Sequence, residues 1–287
     1  MSAEFAPSTP SMSPPPGINA GFWRLDAPVD LRAYFTNVVG YEERGPQANK
    51  MIEAASLTIP LVINLGSPFQ IGIGYRPTRD DAVPSFVAGL CGAPVFIRSN
   101  GQASCFQVNF TPLGARRFFD LPMDELTGRM QAAEDIADPE TAEFVRQIED
   151  MDCWTSRLQH GLNFVCNRLR KRLAPATRSE VAYRRLLQSG GRHPIAALAE
   201  ELGWSRKHLV SQFRRDIGRP PKAVARVIRF NQLFHLANTS QDINWPGVAL
   251  DFGYADQAHL IRDFVEFTGF SPTTWQGFNR NNLAPTW

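Results

Sequence analysis

Apolar and polar positions along this chain follow two different periods. From about residue 21 to 112 the period is mostly two, which marks half-buried strands because successive strand side chains face opposite ways. Leu57 to Gly66 reads as a strand with a bulge or an edge at Pro60, since proline cannot donate to a ladder. Phe69 to Tyr75 alternates cleanly. Pro94 to Ser99 and Ala103 to Phe110 flank Asn100-Gly101, and that dipeptide between two such runs predicts a tight hairpin. Several short strands of this kind predict a small barrel or sandwich. From 113 to 172 the period turns helical. One helix is expected to open at Pro122-Met123-Asp124-Glu125-Leu126. One or two more are expected across 139–172, where Phe144, Ile148, Met151, Leu158, Leu162, Val165 and Leu169 recur at three- and four-residue spacing. Such a stripe fits intramolecular core better than a dimer seam, but it ends a domain just before a linker, so a homodimer stays open.

The C-terminal third contains one pattern twice. Leu198-Ala199-Glu200-Glu201-Leu202-Gly203-Trp204 continues through Leu209 and Phe213 to Gly218 and Pro221. Val248-Ala249-Leu250-Asp251-Phe252-Gly253-Tyr254 continues through Leu260 and Phe264 to Gly269 and Pro272. Each copy reads as helix, tight turn, helix. Gly203 and Gly253 stand where the chain leaves a helix with positive φ. Ser205 and Asp256 stand where a side-chain oxygen can cap the next helix. In the first unit, 195–217, Ile195, Leu198, Ala199 and Leu202 form one apolar face, and Leu209, Phe213 and Ile217 turn inward. In the second unit, 245–267, Leu260, Phe264 and Phe267 do so. Pro220-Pro221 opens a connecting helix, 221–238, with Val224, Val227, Ile228, Leu233 and Leu236 as its apolar positions. A generic helical hairpin explains either unit alone; the double occurrence favours paired DNA-reading units.

Charge sharpens that picture. The net charge is +2 over 287 residues, but residues 178–281 hold 14 Lys and Arg against 9 Asp and Glu, and the rest holds 16 against 19. A basic module on an acidic body suits nucleic-acid contact. The helix 205–217 carries Arg206, Lys207, Arg214 and Arg215 against Asp216 alone, whereas the second unit's helix carries Asp256, Asp263 and Glu266 against Arg262. The first unit should therefore supply most of the phosphate affinity.

These residues resemble the AraC/XylS family of bacterial transcription regulators over about 180–281. The resemblance is carried most by Ala249 to Tyr254, His259 to Phe264, and Thr268-Gly269-Phe270-Ser271-Pro272-Thr273-Thr274-Trp275. It implies seven helices, two reading units, a rigid connecting helix and control of promoters, most often activation, with RNA polymerase as partner. Carried over by position, it makes Lys207, Val210 and Ser211 in the first unit, and Gln257, Ala258, Ile261 and Arg262 in the second, base-reading candidates. It makes Ser205, Arg206, His208, Arg214 and Arg215 backbone candidates. Val265-Glu266 and Gln276 depart from the family's basic residues, which puts the second unit's affinity in question.

The expected fold class is α+β: a tail at 1–20, a β-rich (cupin-like barrel or sandwich) domain with trailing helices at 21–172, a linker at 173–179 and the DNA-binding domain at 180–281. The resemblance implies a small-molecule sensor in the β-rich domain; a domain that only dimerises or holds a protein partner is the alternative. Arg76 and Arg98 are candidates for reaching into the barrel toward an anionic ligand. A metal-dependent cupin enzyme would need histidines there, and His160, His193, His208, His235 and His259 all lie elsewhere. A DNA-repair methyltransferase-like enzyme would need a zinc-binding cysteine framework, which the spacing of Cys91, Cys105, Cys153 and Cys166 does not provide. Cys91 and Cys105 are oxidant-sensing candidates, more in keeping with inert core. No catalytic residue, cofactor or metal is expected. Without a leader or a long apolar run, a cytoplasmic, nucleoid-associated protein is expected.

Overall fold

The computed structural model describes residues 20–136, 138–240 and 243–280. The expected tail lies outside them, except for Ala20. Strands β1 (Ala20–Asp26), β2 (Phe35–Glu43), β3 (Lys50–Glu53), β4 (Ile59–Asn64), β5 (Phe69–Ile73), β6 (Ala82–Val83), β7 (Phe86–Ala88), β8 (Val95–Arg98) and β9 (Ser104–Phe110) come first. Helix α1 (Pro112–Phe119) and strand β10 (Met130–Ala132) follow. The six-stranded sheet runs β1-β2-β9-β4-β7-β10 and the four-stranded sheet β3-β8-β5-β6. Helices α2 (Ala133–Ile136), α3 (Pro139–Asp150) and α4 (Trp154–Lys171) complete the β-rich region. Then come α5 (Arg178–Gln188), α6 (Ile195–Glu201), α7 (Arg206–Ile217), α8 (Pro221–Thr239), α9 (Trp245–Asp251), α10 (Gln257–Thr268) and α11 (Pro272–Arg280). The β-rich sheets followed by a helical C-terminal region agree with the α+β expectation.

Period-two patterning explains how the larger sheet serves two layers. On β9, Phe106, Val108 and Phe110 belong to the core shared with the helices, while Cys105, Gln107 and Asn109 line a cavity between the sheets. Helix α4 can lie close because two glycines leave room. A Cβ on Gly161 would stand 2.2 Å from the Phe106 ring, and one on Gly40 would stand 2.3 Å from the Trp154 ring. Phe144, Ile148, Leu158, Val165 and Leu169 are all buried, so the 139–172 stripe is spent inside the chain. Pro60 lies on β4 opposite Asn109, one residue before β7 joins the other side at Leu61, so its missing N–H breaks no bond to β7.

Two expectations fail. Asn100-Gly101 does not make a hairpin: β8 pairs with β3 and β5, while β9 pairs with β2 and β4. The turn instead carries the chain from one sheet to the other. Gly101 is still required, with φ +86° and the Gly45 and Gln47 carbonyls about where a Cβ would stand. Nearby, the Glu43 carboxylate joins the sheets by accepting from Tyr41 Oη (2.8 Å), Asn49 Nδ2 (2.9 Å), Ser99 Oγ (2.6 Å) and the Ala103 N–H (3.1 Å). The helix expected at Pro122 is a single 3-10 turn, Met123–Glu125. Gly128 at φ +68° turns the chain so that β10 can pair with β7.

The inter-sheet cavity is about 100 Å³, room for several waters at roughly 10–15 Å³ each. The loop after β3 forms part of its wall and also meets the helical domain, because the Ala55 N–H donates to the Phe267 carbonyl of α10 at 2.9 Å. Arg98 and Arg76 do not line the cavity. On β8 the inward positions are Val95 and Ile97, which places Arg98 on the opposite face, and Arg76 is exposed beyond the end of β5.

Candidate nucleic-acid interface

The two units are built by the same local chemistry. Gly203 and Gly253 take φ of +65° and +74°. The Ser205 hydroxyl accepts from the His208 N–H at 3.2 Å, and the Asp256 carboxylate from the His259 N–H at 2.7 Å. Leu209, Phe213 and Ile217 of α7, and Leu260, Phe264 and Phe267 of α10, are buried. The polar positions left outside are those of the first turns and the solvent face.

On α7, Ser205, Arg206, Lys207, His208, Ser211, Arg214 and Arg215 are exposed and Val210 is half-buried. The lone anion of this helix, Asp216, lies 3.9 Å from Arg116 of α1. The outward face of α7 is therefore more purely cationic than its sequence charge. His208 packs edge-on against Trp204, ring centres 4.8 Å apart.

On α10, Gln257, Ala258 and Arg262 are exposed and Ile261 is half-buried. Arg262 Nε donates to the Ala258 carbonyl at 3.2 Å, so this side chain lies back along the first turns. The acidic count of α10 overstates its exposed charge. Asp263 is buried, and the Arg226 guanidinium of α8 donates to both Asp263 (2.6 Å) and Glu266 (2.6 Å). Asp256 is occupied as the cap. Gln276, where the resemblance implies a basic residue, accepts from Trp245 Nε1 at 3.3 Å in the interior.

Helix α8 holds the units together. Arg229 donates to the Gly191 carbonyl ahead of the first unit (2.8 Å) and lies 5.8 Å from the centre of the Tyr254 ring in the second unit's turn. Arg192 reaches the Asp251 carbonyl at 3.1 Å. None of these arginines was singled out in the sequence. Their partners lie 25 to 59 residues away, beyond any local spacing signal.

Both recognition helices also end against the β-rich domain. Thr127 Oγ1 donates to the Gly218 carbonyl just past α7 (2.5 Å). The Ala55–Phe267 bond holds the last turn of α10, and Gly269 faces Phe96 and Pro94. The C-cap glycines Gly218 and Gly269 are in the left-handed region. Docking the C-terminal ends leaves the N-terminal turns, with Arg206, Lys207, Gln257 and Ala258, at the far ends of both helices.

Among the described residues no group of His, Cys, Asp and Glu gathers to hold a metal, and no helix is long and apolar enough to cross a membrane. Burial pushes the Cys91 thiol up and the Cys105 thiol up to about 12, which suits core rather than redox chemistry. Hydrogen bonding with the Ser156 side chain and N–H holds the exposed Cys153 thiol, the cap of α4, below its usual range.

Residues 198–277 match the helix-turn-helix domain family HTH_18. No curated protein sequence matches the chain. Among solved structures, the C-terminal domain of AraT, a response regulator from Geobacillus stearothermophilus, is 19% identical, covering 40% of this chain and 93% of its own, with a TM-score of 0.34. An apo ToxT variant from Vibrio cholerae is 12% identical, covering 88% and 99%, with a TM-score of 0.43. The AraC-like transcriptional activator CuxR is 14% identical, covering 76% and 86%, with a TM-score of 0.28.

Proposed function

We propose that this chain, whose residues 198–277 match a helix-turn-helix domain family, is an AraC-type DNA-binding transcription regulator that binds promoter DNA through the exposed first turns of α7 and α10. It then activates transcription by presenting RNA polymerase with a bound regulator, in response to a small molecule held between the two sheets. The observation that carries this reading is the common pose of the recognition helices. Both are docked by their C-terminal ends and free at their N-terminal ends, the end from which such helices contact base edges.

Lys207, Val210, Ser211, Gln257, Ala258, Ile261 and Arg262 are assigned to base edges. Ser205, Arg206, His208, Arg214 and Arg215 are assigned to the phosphate backbone. Lys207 and Arg262 are suited to guanine; Val210, Ala258 and Ile261 are suited to thymine methyls and groove shape. The effector is placed in the inter-sheet cavity because the wall loop after β3 is bonded directly to α10. A homodimer would need a surface other than the 139–172 stripe, which is buried within the chain.

Selection of bound sequences from a random duplex pool, at stated salt, tests the assignment. A two-part motif, one part lost in Lys207→Ala and the other in Arg262→Ala, supports it. Binding without sequence preference overturns it.

A further inference from the structure

Among the described residues Glu53 is the one carboxylate in the cavity lining, and the one lining cation, Arg24, is bonded elsewhere. The walls are otherwise largely apolar, with Phe22, Phe69 and Phe86 among them. The remaining polar groups are mostly occupied by one another. Asn109 donates to Asn37 and Gln107 donates to Asn109, both at 2.7 Å, in an amide ladder across β2 and β9. Arg24 is exposed and bonded to Asp26 at 2.7 Å. Glu53, half-buried at the end of β3, pairs through its backbone with Val95, and its carboxylate makes no hydrogen bond or ion pair among the described residues. Alternation along β3 turns Met51 and Glu53 into the cavity and leaves Lys50 exposed on the other face.

An unpaired carboxyl in apolar surroundings disfavours its own ionised form, and burial does push the Glu53 carboxyl up. The other titratable groups around it are the Cys91 and Cys105 thiols, both raised by burial. Arg219, beside Gly92, is a cation from the helical domain near that wall. None supplies a bonded counter-ion. A ligand carboxylate would bring a second negative charge to this wall. A ligand cation would complete it, and the faces of the phenylalanine rings favour the same sign.

Resting on the reading of this cavity as the effector site, we propose that the effector is a small apolar amine whose ammonium group pairs with Glu53. The volume suits a single ring or a short branched chain rather than a long acyl chain. Because the last residue of β3 is two positions from Ala55, the pairing bears on the segment that holds the end of α10.

The test is calorimetric titration of the full-length protein with three probes of matched shape: phenethylamine, hydrocinnamate and phenethyl alcohol. Phenethylamine should bind at least about ten-fold tighter than hydrocinnamate, and Glu53→Gln should remove that preference. Pairing with the ammonium re-ionises Glu53 and releases a proton, so the amine's affinity should rise with pH across the Glu53 titration in the native protein and stay flat in Glu53→Gln. Tighter binding of the carboxylate or the alcohol, or an amine preference that survives in Glu53→Gln, overturns the proposal. The cavity is checked separately with Ala88→Phe and Val95→Phe, which fill it. If they block whichever probe binds, the effector site stands even when the amine class falls. If they leave binding unchanged, or no probe binds, the effector site falls as well.

Discussion

Replacing Arg226 with methionine should loosen the second reading unit and leave the first intact. Arg226 is the one cation bonded to α10 from α8. Its guanidinium bonds Asp263 and Glu266 and lies 5.1 Å from the centre of the Phe267 ring. Asp263 retains only 3% of its side-chain exposure, whereas Arg226 keeps 28% and Glu266 49%. Removing one partner of a fully buried pair costs about 3–5 kcal/mol, mostly because a charge is left without compensation. Here water reaches the arginine and Glu266, so the Glu266 contact contributes little. The expected loss is about 2–3 kcal/mol, nearly all of it from stranding Asp263. Denaturant unfolding should show a lower midpoint with an unchanged slope, and amide exchange should speed up in α10 but not in α7. The double variant Arg226→Met with Asp263→Asn should recover part of the loss, because no charge is then stranded. A loss below about 0.5 kcal/mol, or no recovery in the double variant, would refute the assignment of this pair as the tether of α10.

Four further outcomes are expected. Arg262→Ala should relax sequence preference at one position of one half-site by about 1–3 kcal/mol; an equal loss on all sequences would make it a phosphate contact. Arg214→Ala should weaken binding on every sequence and reduce the salt slope by about one, and an unchanged slope would remove it from the backbone set. Glu43→Ala should cost about 3–5 kcal/mol by leaving buried donors on both sheets without an acceptor; a melting curve within about 1 kcal/mol of the parent would show that water replaces it. Burial opposes ionisation of Asp138, but hydrogen bonds from Arg168 and Thr141 win and bring its carboxyl down to about 2. The folded pKa is depressed, so the stability it adds is complete above the ordinary aspartate range near 4 and is lost as pH falls through about 2. The deficit of Asp138→Asn should shrink over that window, and a deficit independent of pH would refute it.

The reading units were legible because their determinants are local. A glycine that needs positive φ, a capping oxygen three residues ahead of the N–H it accepts from, and apolar positions at helical spacing all fall within one short window. The faces of α7, α8 and α10 follow from those signals. The β-rich half was legible in its strands but not in their partners. Val95–Arg98 and Ser104–Phe110 alternate as a hairpin should, and each finds better partners in a different sheet. Pro122 to Leu126 carries a helix-opening composition, but β10 needs the chain back beside β7, and the helix ends after one turn. Charges misled in the same way. The acidic residues of α10 look repulsive to DNA until Arg226, 37 and 40 residues earlier, is seen to hold two of them. Glu43 and Glu53 sit at the ends of unremarkable strands, and only the packing of two sheets makes one a joint and the other an unpaired acid.

The spacing of the reading units brings these observations together. At about 1.5 Å per residue, the 19 residues of α8 span about 28 Å, short of the ~34 Å between successive major-groove faces. Three resolutions meet that shortfall: reach from the second unit's body, a bent duplex, or a unit that does not read. The structure adds a constraint, since the β-rich domain holds the C-terminal ends of both recognition helices and so resists their separation. Meeting both grooves then requires bending the DNA, at about 1–6 kcal/mol, or opening one of the two docks. Among the described residues, the dock at α10 holds one backbone bond, from Ala55 to Phe267, of net worth about 0.5–1.5 kcal/mol, with the contact of Gly269 on Phe96 and Pro94 and the shared core around Phe267 beside it. This dock shares a wall with the cavity, so the proposed effector would act on the contact that sets where the second unit sits.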